Sequence, residues 1–221
     1  GLTLLPTTAS AQLIIEEVIV TAQKREQNIQ DIGVAVSAFS SEDLNKLGAD
    51  NVHEVLDFVP GTGFYDVTGG GVPVIVIRGV GLQNFRVNDT PTTAIYVDDV
   101  YQTSVALASS TLFDLERLEM LKGPQGGLYG RNAIGGAIQL ISRRPNFEET
   151  DGYVTIGYGQ YNRIETEAAV GGPLSDQIAM RVSGRVVTSD DTYFHSVTGN
   201  FDHGEEEKIS LRGQFSIRPT D

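Results

Sequence analysis

The sequence ERLEMLKGPQGGLYGRNAIGGAIQLIS, residues 116–142, decides the interpretation of the fold. It begins with a candidate strand from Arg117 to Lys122 and ends with another from Ala137 to Ser142. The glycines between them favour turns, because glycine adopts backbone conformations that other residues avoid. The stretch lacks the G-K-[ST] ending of a phosphate-binding loop. It therefore predicts two strands joined by a glycine-rich loop and gives no support to a nucleotide site.

Short elements precede this stretch. A helix is predicted from Ser40 to Leu47, with Ser40 as its N-cap and Gly48 at its end. Asn51 to Val59 predicts a second helix, which Pro60-Gly61 ends. Further strands are predicted over residues 72–77 and 94–100. Together these elements predict a small α+β domain, a mixed sheet with short helices, over residues 29–145.

After Pro145 the pattern changes to strict alternation of apolar and polar residues. In three segments, residues 163–170, 178–186 and 208–217, the charged side chains fall opposite the apolar ones. Long strands with short turns that alternate with longer loops are typical of a membrane β-barrel. A half-buried antiparallel sheet in a soluble protein gives the same alternation. This pattern leaves both alternatives open.

Composition excludes several classes of protein. The chain has 221 residues and a formal net charge of −13, which argues against a nucleic-acid partner. It contains no cysteine, so disulfides, thiolate metal sites and cysteine nucleophiles are excluded. The three histidines are scattered, and Asp98-Asp99 is too small a cluster to predict a metal site. No nucleophile–base pattern is present, so we expect neither an enzyme nor a bound cofactor.

Six motifs in order resemble the TonB-dependent outer-membrane receptor family. The most specific are two consecutive motifs, 116–126 and 128–138. The segments 55–61, 77–81 and 95–101 resemble the plug domain of that family. The segment resembling its TonB box consists of Glu17, Val18, Ile19, Val20, Thr21 and Ala22. Lys122, Gly127 and Gln139 depart mildly from the family pattern.

The resemblance implies an α+β plug domain followed by antiparallel transmembrane strands of a barrel. We expect a signal-peptide remnant over residues 1–11, the TonB box and linker over 12–28, and the plug over 29–145. Residues 146–221 are then the first strands of an incomplete barrel. Four strands leave an open edge, so we expect this chain alone neither to insert stably nor to transport.

The resemblance also implies a function. The protein is expected to import a scarce, large ligand, most often a ferric siderophore, across the Gram-negative outer membrane. Its partners are then the TonB C-terminal domain, outer-membrane lipid and a metal chelate, with the plug and the TonB box facing the periplasm. Haem, cobalamin, nickel chelates and glycans compete as ligands. A periplasmic secretin-like or adaptor module is the alternative function.

Particular residues follow from the resemblance. The TonB box is expected to be a short disordered segment that adds as a strand to the edge of a TonB sheet. Its alternative is an ordinary first strand. Arg78 and Lys122 are expected to pair with barrel carboxylates outside this sequence, or else to be solvated charges. Phe85 and Arg86, in the loop 81–93, are candidate ligand contacts.

Overall fold

The computed structural model describes residues 19–21, 24–25, 27–28, 33–66, 73–81, 90–103, 112–189, 194–195, 202–203 and 206–219. Its elements in chain order are β1 (Ile19–Val20), β2 (Gln27–Asn28), β3 (Ala35–Ser40), α1 (Ser41–Leu47), α2 (Val52–Leu56), β4 (Thr62–Asp66), β5 (Pro73–Ile77), β6 (Thr93–Val97), β7 (Val100–Tyr101), β8 (Leu115–Lys122), α3 (Gly126–Tyr129), β9 (Gly136–Ser142), β10 (Asp151–Tyr158), β11 (Ile164–Ser175), β12 (Ile178–Ser189), β13 (Phe194–His195), β14 (Asp202–His203) and β15 (Glu206–Ile217). No helix in these ranges is long and apolar enough to cross a membrane.

A five-stranded mixed sheet forms the centre of the first domain. Its strand order is β3-β8-β9-β6-β7, in which only β6 and β9 run parallel. The two strands of the deciding stretch, β8 and β9, are neighbours, with Leu118 opposite Leu140. Apolar side chains of this sheet pack against α2 and the β4–β5 hairpin in one buried cluster. The prediction of an α+β domain with a small mixed sheet is confirmed.

The glycine-rich loop allows β8 and β9 to approach closely. A Cβ on Gly136 would lie 2.3 Å from the carbonyl oxygen of Leu121 and 2.8 Å from Ile77 Cδ1. No side chain fits at that distance without a backbone shift, so this position requires glycine. Gly136, the first residue of β9, therefore allows the close packing of β8 and β9.

The start of α1 agrees with the prediction. Ser40 Oγ accepts a hydrogen bond from the Asp43 amide, and Asp43 accepts one from the Ser40 amide at 2.9 Å. The Ser40 hydroxyl donates to Asp43 Oδ2 at 2.7 Å, and this hydrogen bond, together with the one from the Ser40 amide, lowers the pKa of Asp43 below its ordinary value. Gly48 ends the helix in the left-handed conformation, with φ at 64°.

Two predicted boundaries were wrong. The second helix ends at Leu56, and a turn follows it, because Phe58 and Val59 donate to carbonyls only three residues back. The strand predicted over 94–100 is interrupted by Asp98 and Asp99, which have positive φ and form the two-residue turn between β6 and β7. Aspartate tolerates this conformation better than most residues.

Strands β10, β11, β12 and β15 form a separate antiparallel sheet in that order. Along β12 the outward residues Ile178, Val182 and Val186 are exposed, whereas Arg181 and Arg185 are buried. On β15, Leu211 is 79% exposed. The apolar face thus points away from the protein and the charged face points towards the first domain. A half-buried soluble sheet would have the opposite arrangement.

Candidate functional site: the docked segment and the charged seam

The segment Ile19–Thr21, the described part of the predicted TonB box, is docked on the first domain. Val20 is fully buried beside Leu121 and Tyr129. The Thr21 amide donates to Glu119 Oε1 at 2.8 Å, and the Thr21 hydroxyl donates to the same oxygen at 3.3 Å. These three residues were expected to be disordered. The burial of Val20 and the hydrogen bonds of Thr21 are the reason for the difference.

The Glu119 carboxylate is held by Arg117, two residues earlier on β8. Arg117 Nε donates to Glu119 Oε1 at 2.7 Å, and Arg117 Nη2 donates to Thr21 Oγ1 at 3.2 Å. The Glu119 side chain is completely buried. One carboxylate oxygen therefore connects the docked segment to β8 through charge-assisted hydrogen bonds.

Lys24 supplies a weaker contact after the docked segment. Its ammonium lies 3.5 Å from Asp99 Oδ1 and 5.6 Å from the ring centres of Tyr96 and Tyr129. Burial, with Glu119 nearby, raises the pKa of Tyr129. Asp99 is 64% exposed, so solvent screens its pairing with Lys24.

Asp114 lies at the centre of a charged seam, by which we mean the contacts between the first domain and the inward face of β10–β15. Arg181 on β12 donates from Nε and Nη2 to the Asp114 carboxylate at 2.7–3.1 Å. Both side chains have no exposed surface. Arg181 Nη1 also donates to Asp151 at 2.8 Å. This geometry fixes both the position and the direction of the paired groups.

Asp50 makes the second contact of the seam. Arg163 donates to Asp50 Oδ2 at 2.7 Å, and Arg185 donates to Asp50 Oδ1. Arg185 also donates to Glu165 Oε2 at 2.9 Å. Asp50 is therefore held by Arg163, which directly precedes β11, and by Arg185 on β12.

The backbone between residues 112 and 114 completes the seam. Arg185 Nη1 donates to the Leu112 carbonyl at 2.7 Å, and the Leu112 amide donates to the Asp50 carbonyl at 2.8 Å. Arg212 on β15 lies over the Phe113 ring, 4.4 Å from its centre. Residues 112–114 of the first domain are therefore bound by three arginines, Arg181 and Arg185 on β12 and Arg212 on β15.

Arg78 and Lys122 were predicted to contact the barrel, and the structure places them near each other. Arg78 has φ at 52° in the turn after β5, and its Nη1 lies 3.4 Å from the position of a Cβ on Gly123, the residue after Lys122. Within the described ranges, neither has an ion-pair partner in the structure. Their pairing with barrel carboxylates stays a prediction.

The remaining candidate residues, Glu17, Val18, Ala22, Phe85 and Arg86, lie outside the described residues. Asp50 and Asp114 were not predicted from the sequence as contacts of the first domain. The charged side of β12 was predicted without a partner. A signal existed, because arginines at every fourth residue on the inward face of a strand require a carboxylate opposite them.

Among the cavities that the described residues line, two lie along the seam beside α1. One measures about 420 Å³ and the other about 320 Å³. Both have Leu44, Asn45 and Ala49 on one side, and Thr155, Glu167 and Arg185 on the other. Within the described part of the chain, no three His, Asp or Glu side chains are arranged to hold a metal ion.

Comparison with known proteins defines the class and the family. The profile of the TonB-dependent Receptor Plug Domain matches residues 28–137. The chain is 32% identical to the "Iron-regulated outer membrane virulence protein" of Vibrio cholerae, over 91% of this chain and 31% of that protein. It is 28% identical to the "Ferripyoverdine receptor" of Pseudomonas aeruginosa, over 91% of this chain and 23% of that protein.

A solved structure agrees with these matches. The crystal structure of the ferric yersiniabactin uptake receptor FyuA from Yersinia pestis superimposes with a TM-score of 0.75 and 26% identity, covering 84% of this chain and 29% of that one. The fold is thus a plug domain followed by the first antiparallel strands of a receptor barrel. The chain belongs to the TonB-dependent receptor family, which consists of receptors and not of enzymes. It spans less than a third of the length of these relatives.

Proposed function

We propose that this protein takes up a ferric siderophore across the outer membrane and that TonB energises the uptake by binding residues 17–22. The proposal of the ligand class rests on the relatives, which are named for ferripyoverdine and ferric yersiniabactin. The outward apolar faces of β12 and β15 support a membrane location. They also argue against the alternative, a periplasmic module, because such a module would expose those faces to water.

The observation that carries the energy-coupling proposal is the docked segment. Ile19 and Val20 have high strand propensity, and their only described strand partner is the two-residue β2. An extended segment with so short a partner can exchange it for the edge of a TonB sheet, with main-chain hydrogen bonds providing the affinity. Because Val20 is fully buried, TonB must first separate Ile19–Thr21 from Glu119.

Binding of the purified TonB C-terminal domain tests this proposal. Val18→Pro removes a backbone donor within the proposed strand and should abolish the binding. Ile14→Pro is the matched control, because the same change of a β-branched residue to proline then lies before residues 17–22 and should leave binding unchanged. If the unmodified receptor does not bind TonB, or if Val18→Pro binds as tightly as the control, the box assignment fails.

The ligand class has its own test. Cells that produce the full-length receptor are given ⁵⁵Fe-loaded pyoverdine, yersiniabactin and ferrioxamine B in separate experiments. Uptake of at least one chelate, lost in cells without TonB, is the expected result. Uptake of none of the three, alongside uptake of haem, cobalamin, a nickel chelate or a glycan, would replace the siderophore as the ligand.

A further inference from the structure

We propose that a cavity beside the docked segment binds the phosphoethanolamine head group of a membrane phospholipid. The cavity, which we call the junction cavity, measures about 690 Å³ and lies between residues 21–25, the plug and residues 214–216 of β15. Sites that hold small ligands have volumes of this order. The inference rests on the proposed membrane location, because a lipid head group is available there only if β10–β15 lie in lipid.

The junction cavity concentrates positive charge in an acidic chain. Four of the chain's 16 Lys and Arg residues line it, but only three of its 29 Asp and Glu residues do. The basic residues are Lys24, Arg25, Arg117 and Arg144, and the acidic ones are Asp98, Asp99 and Glu116. A ligand with a negatively charged group is therefore favoured here over most of the protein surface.

Two of the basic residues are available for such a group. Lys24 and Arg117 are already paired with carboxylates. Arg25 and Arg144 are exposed, and neither forms an ion pair with any described residue. A guanidinium binds a phosphate through two parallel hydrogen bonds. These two arginines therefore form the phosphate-binding side of the cavity.

The remaining polar groups favour a head group that donates hydrogen bonds. Asp98 accepts from the Ser142 amide at 2.8 Å, and no basic side chain in the described ranges pairs with it. Gln214 Oε1 is buried and accepts no hydrogen bond from the described residues. The ammonium of phosphoethanolamine supplies three N–H donors and a positive charge for Asp98. A choline head group has the same charge but no N–H donor.

The position of the cavity suits a lipid. Phe215 lines it and is 69% exposed on the outward face of β15. Ile217, the last residue of that strand, is exposed on the same face. The outward apolar face therefore ends beside the cavity, and aromatic residues are typical of that level in membrane barrels. A lipid can lay its acyl chains along β15 and place its head group in the cavity.

A bound phosphate connects two distant parts of the chain. Arg25 follows the docked segment, whereas Arg144 follows β9 and precedes β10. A phosphate held by both arginines ties the docked segment to the beginning of the barrel. Because TonB must separate Ile19–Thr21 from Glu119, a bound lipid should weaken the binding of TonB.

Native mass spectrometry of the full-length receptor in detergent tests the proposal. Phosphatidylethanolamine, phosphatidylglycerol and phosphatidylcholine with identical acyl chains are added in separate experiments. Phosphatidylethanolamine should bind about tenfold more tightly than phosphatidylcholine, because choline leaves the acceptors of the cavity without donors. Phosphatidylglycerol should also bind less tightly, since glycerol brings no positive charge to Asp98. Equal binding of the ethanolamine and choline lipids, or tighter binding of the glycerol lipid, overturns the proposal.

Competition identifies the source of the head group. Soluble phosphoethanolamine and inorganic phosphate offer the same phosphate chemistry without acyl chains. Neither should displace bound phosphatidylethanolamine at a concentration at which unlabelled lipid does. Displacement by either solute as effectively as by the lipid would overturn the assignment to a membrane lipid.

Two variants test the phosphate-binding side. Arg25→Gln and Arg144→Gln should each weaken the binding of phosphatidylethanolamine about tenfold. Arg131→Gln is the matched control, because Arg131 is exposed and forms no ion pair with a described residue, but does not line the cavity. All three variants should unfold at the temperature of the unmodified receptor. Binding in both cavity variants as tight as in the control would overturn the site.

TonB titration tests the connection to the docked segment. The TonB C-terminal domain should bind the receptor about fivefold more weakly in phosphatidylethanolamine nanodiscs than in phosphatidylcholine nanodiscs, and Arg144→Gln should remove the difference. Equal affinities for the unmodified receptor would overturn this connection. Native mass spectrometry requires neither TonB nor a siderophore. Absence of TonB binding, with lipid binding as expected, would therefore refute the energy coupling alone.

Discussion

The plug makes two attachments that differ in strength and construction: one holds the docked N-terminal segment on the plug, and the other joins the plug to the barrel strands. The docked segment depends on one carboxylate, Glu119, and on one fully buried side chain, Val20. At the seam, Asp50 and Asp114 bind Arg181 and Arg185 of β12 and Arg163, which directly precedes β11, and the Arg181–Asp114 pair is completely buried. The difference teaches that a receptor can hold its plug firmly and still offer a releasable end, because the two tasks fall on separate contacts.

The largest expected effect is at the strong attachment. Asp114→Ala leaves Arg181 buried with only Asp151 as a described acidic partner, which should destabilise the receptor by about 3–5 kcal/mol. Thermal unfolding measures the loss. Asp99→Asn is the control, since it removes only the charge of an exposed pair with Lys24, keeps an oxygen that accepts from Gln139, and should cost less than about 0.5 kcal/mol. Equal losses in the two variants would erase the difference between the attachments.

Two glycine substitutions should differ in their effect on stability, because Gly136 lies in the tight β8–β9 packing and Gly33 lies in open space before β3. Gly136→Ala forces a methyl group against the Leu121 carbonyl and should cost about 1–3 kcal/mol. Gly33→Ala meets no atom within 4 Å and should change stability by less than about 0.5 kcal/mol. Denaturant unfolding of both variants provides the comparison. A tolerated Gly136→Ala would mean that the β8–β9 approach can relax.

A smaller effect is expected at the weak attachment. Glu119→Gln keeps an oxygen that can accept from Thr21 but removes the charge, which should weaken docking by about 1 kcal/mol. Because TonB must displace the docked segment, its affinity should rise about fivefold. Titration with the TonB C-terminal domain measures the change. Thr62→Val, which removes a hydroxyl bonded within the plug, should leave this affinity unaltered.

The smallest expected effect is the pH dependence of the stability of α1, whose N-terminus Asp43 caps. The pKa of Asp43 is lowered in the folded state, so its carboxylate stabilises α1 above its ordinary pKa of 3.8. That contribution disappears as the pH falls through the lowered folded pKa. The protection factors of the α1 amides in hydrogen exchange should therefore fall in acid, and Asp43→Asn should remove this part of the pH dependence. Identical pH profiles for the two proteins would contradict the capping role.

Much of the fold could be predicted because it depends on local signals. Ser40, Asp43 and Gly48 specify the ends of α1 through contacts within a few residues. The alternation along β12 predicts a two-faced strand, since side chains alternate across any extended chain. The alternation could not say which face points outward, because membrane and soluble sheets share it.

The seam could not be predicted because it joins residues far apart in sequence. Asp114 and Arg181 are separated by 67 positions, and Asp50 and Arg185 by 135. No local pattern specifies which of the chain's many carboxylates faces a given arginine. The docked segment was mispredicted for a related reason. Its sequence predicts an extended conformation, but Glu119, 98 positions away from Thr21, decides that it is docked.

The sequence by itself determined the family, the mixed plug sheet and the two-faced strands, because motif order and side-chain alternation are properties of the chain. Only the tertiary structure decided that the charged face turns inward, that Ile19–Thr21 is docked and that Asp50 and Asp114 bind the strands. The physical reason is desolvation: a buried charge needs an opposite charge beside it, and only the folded chain brings such distant partners together.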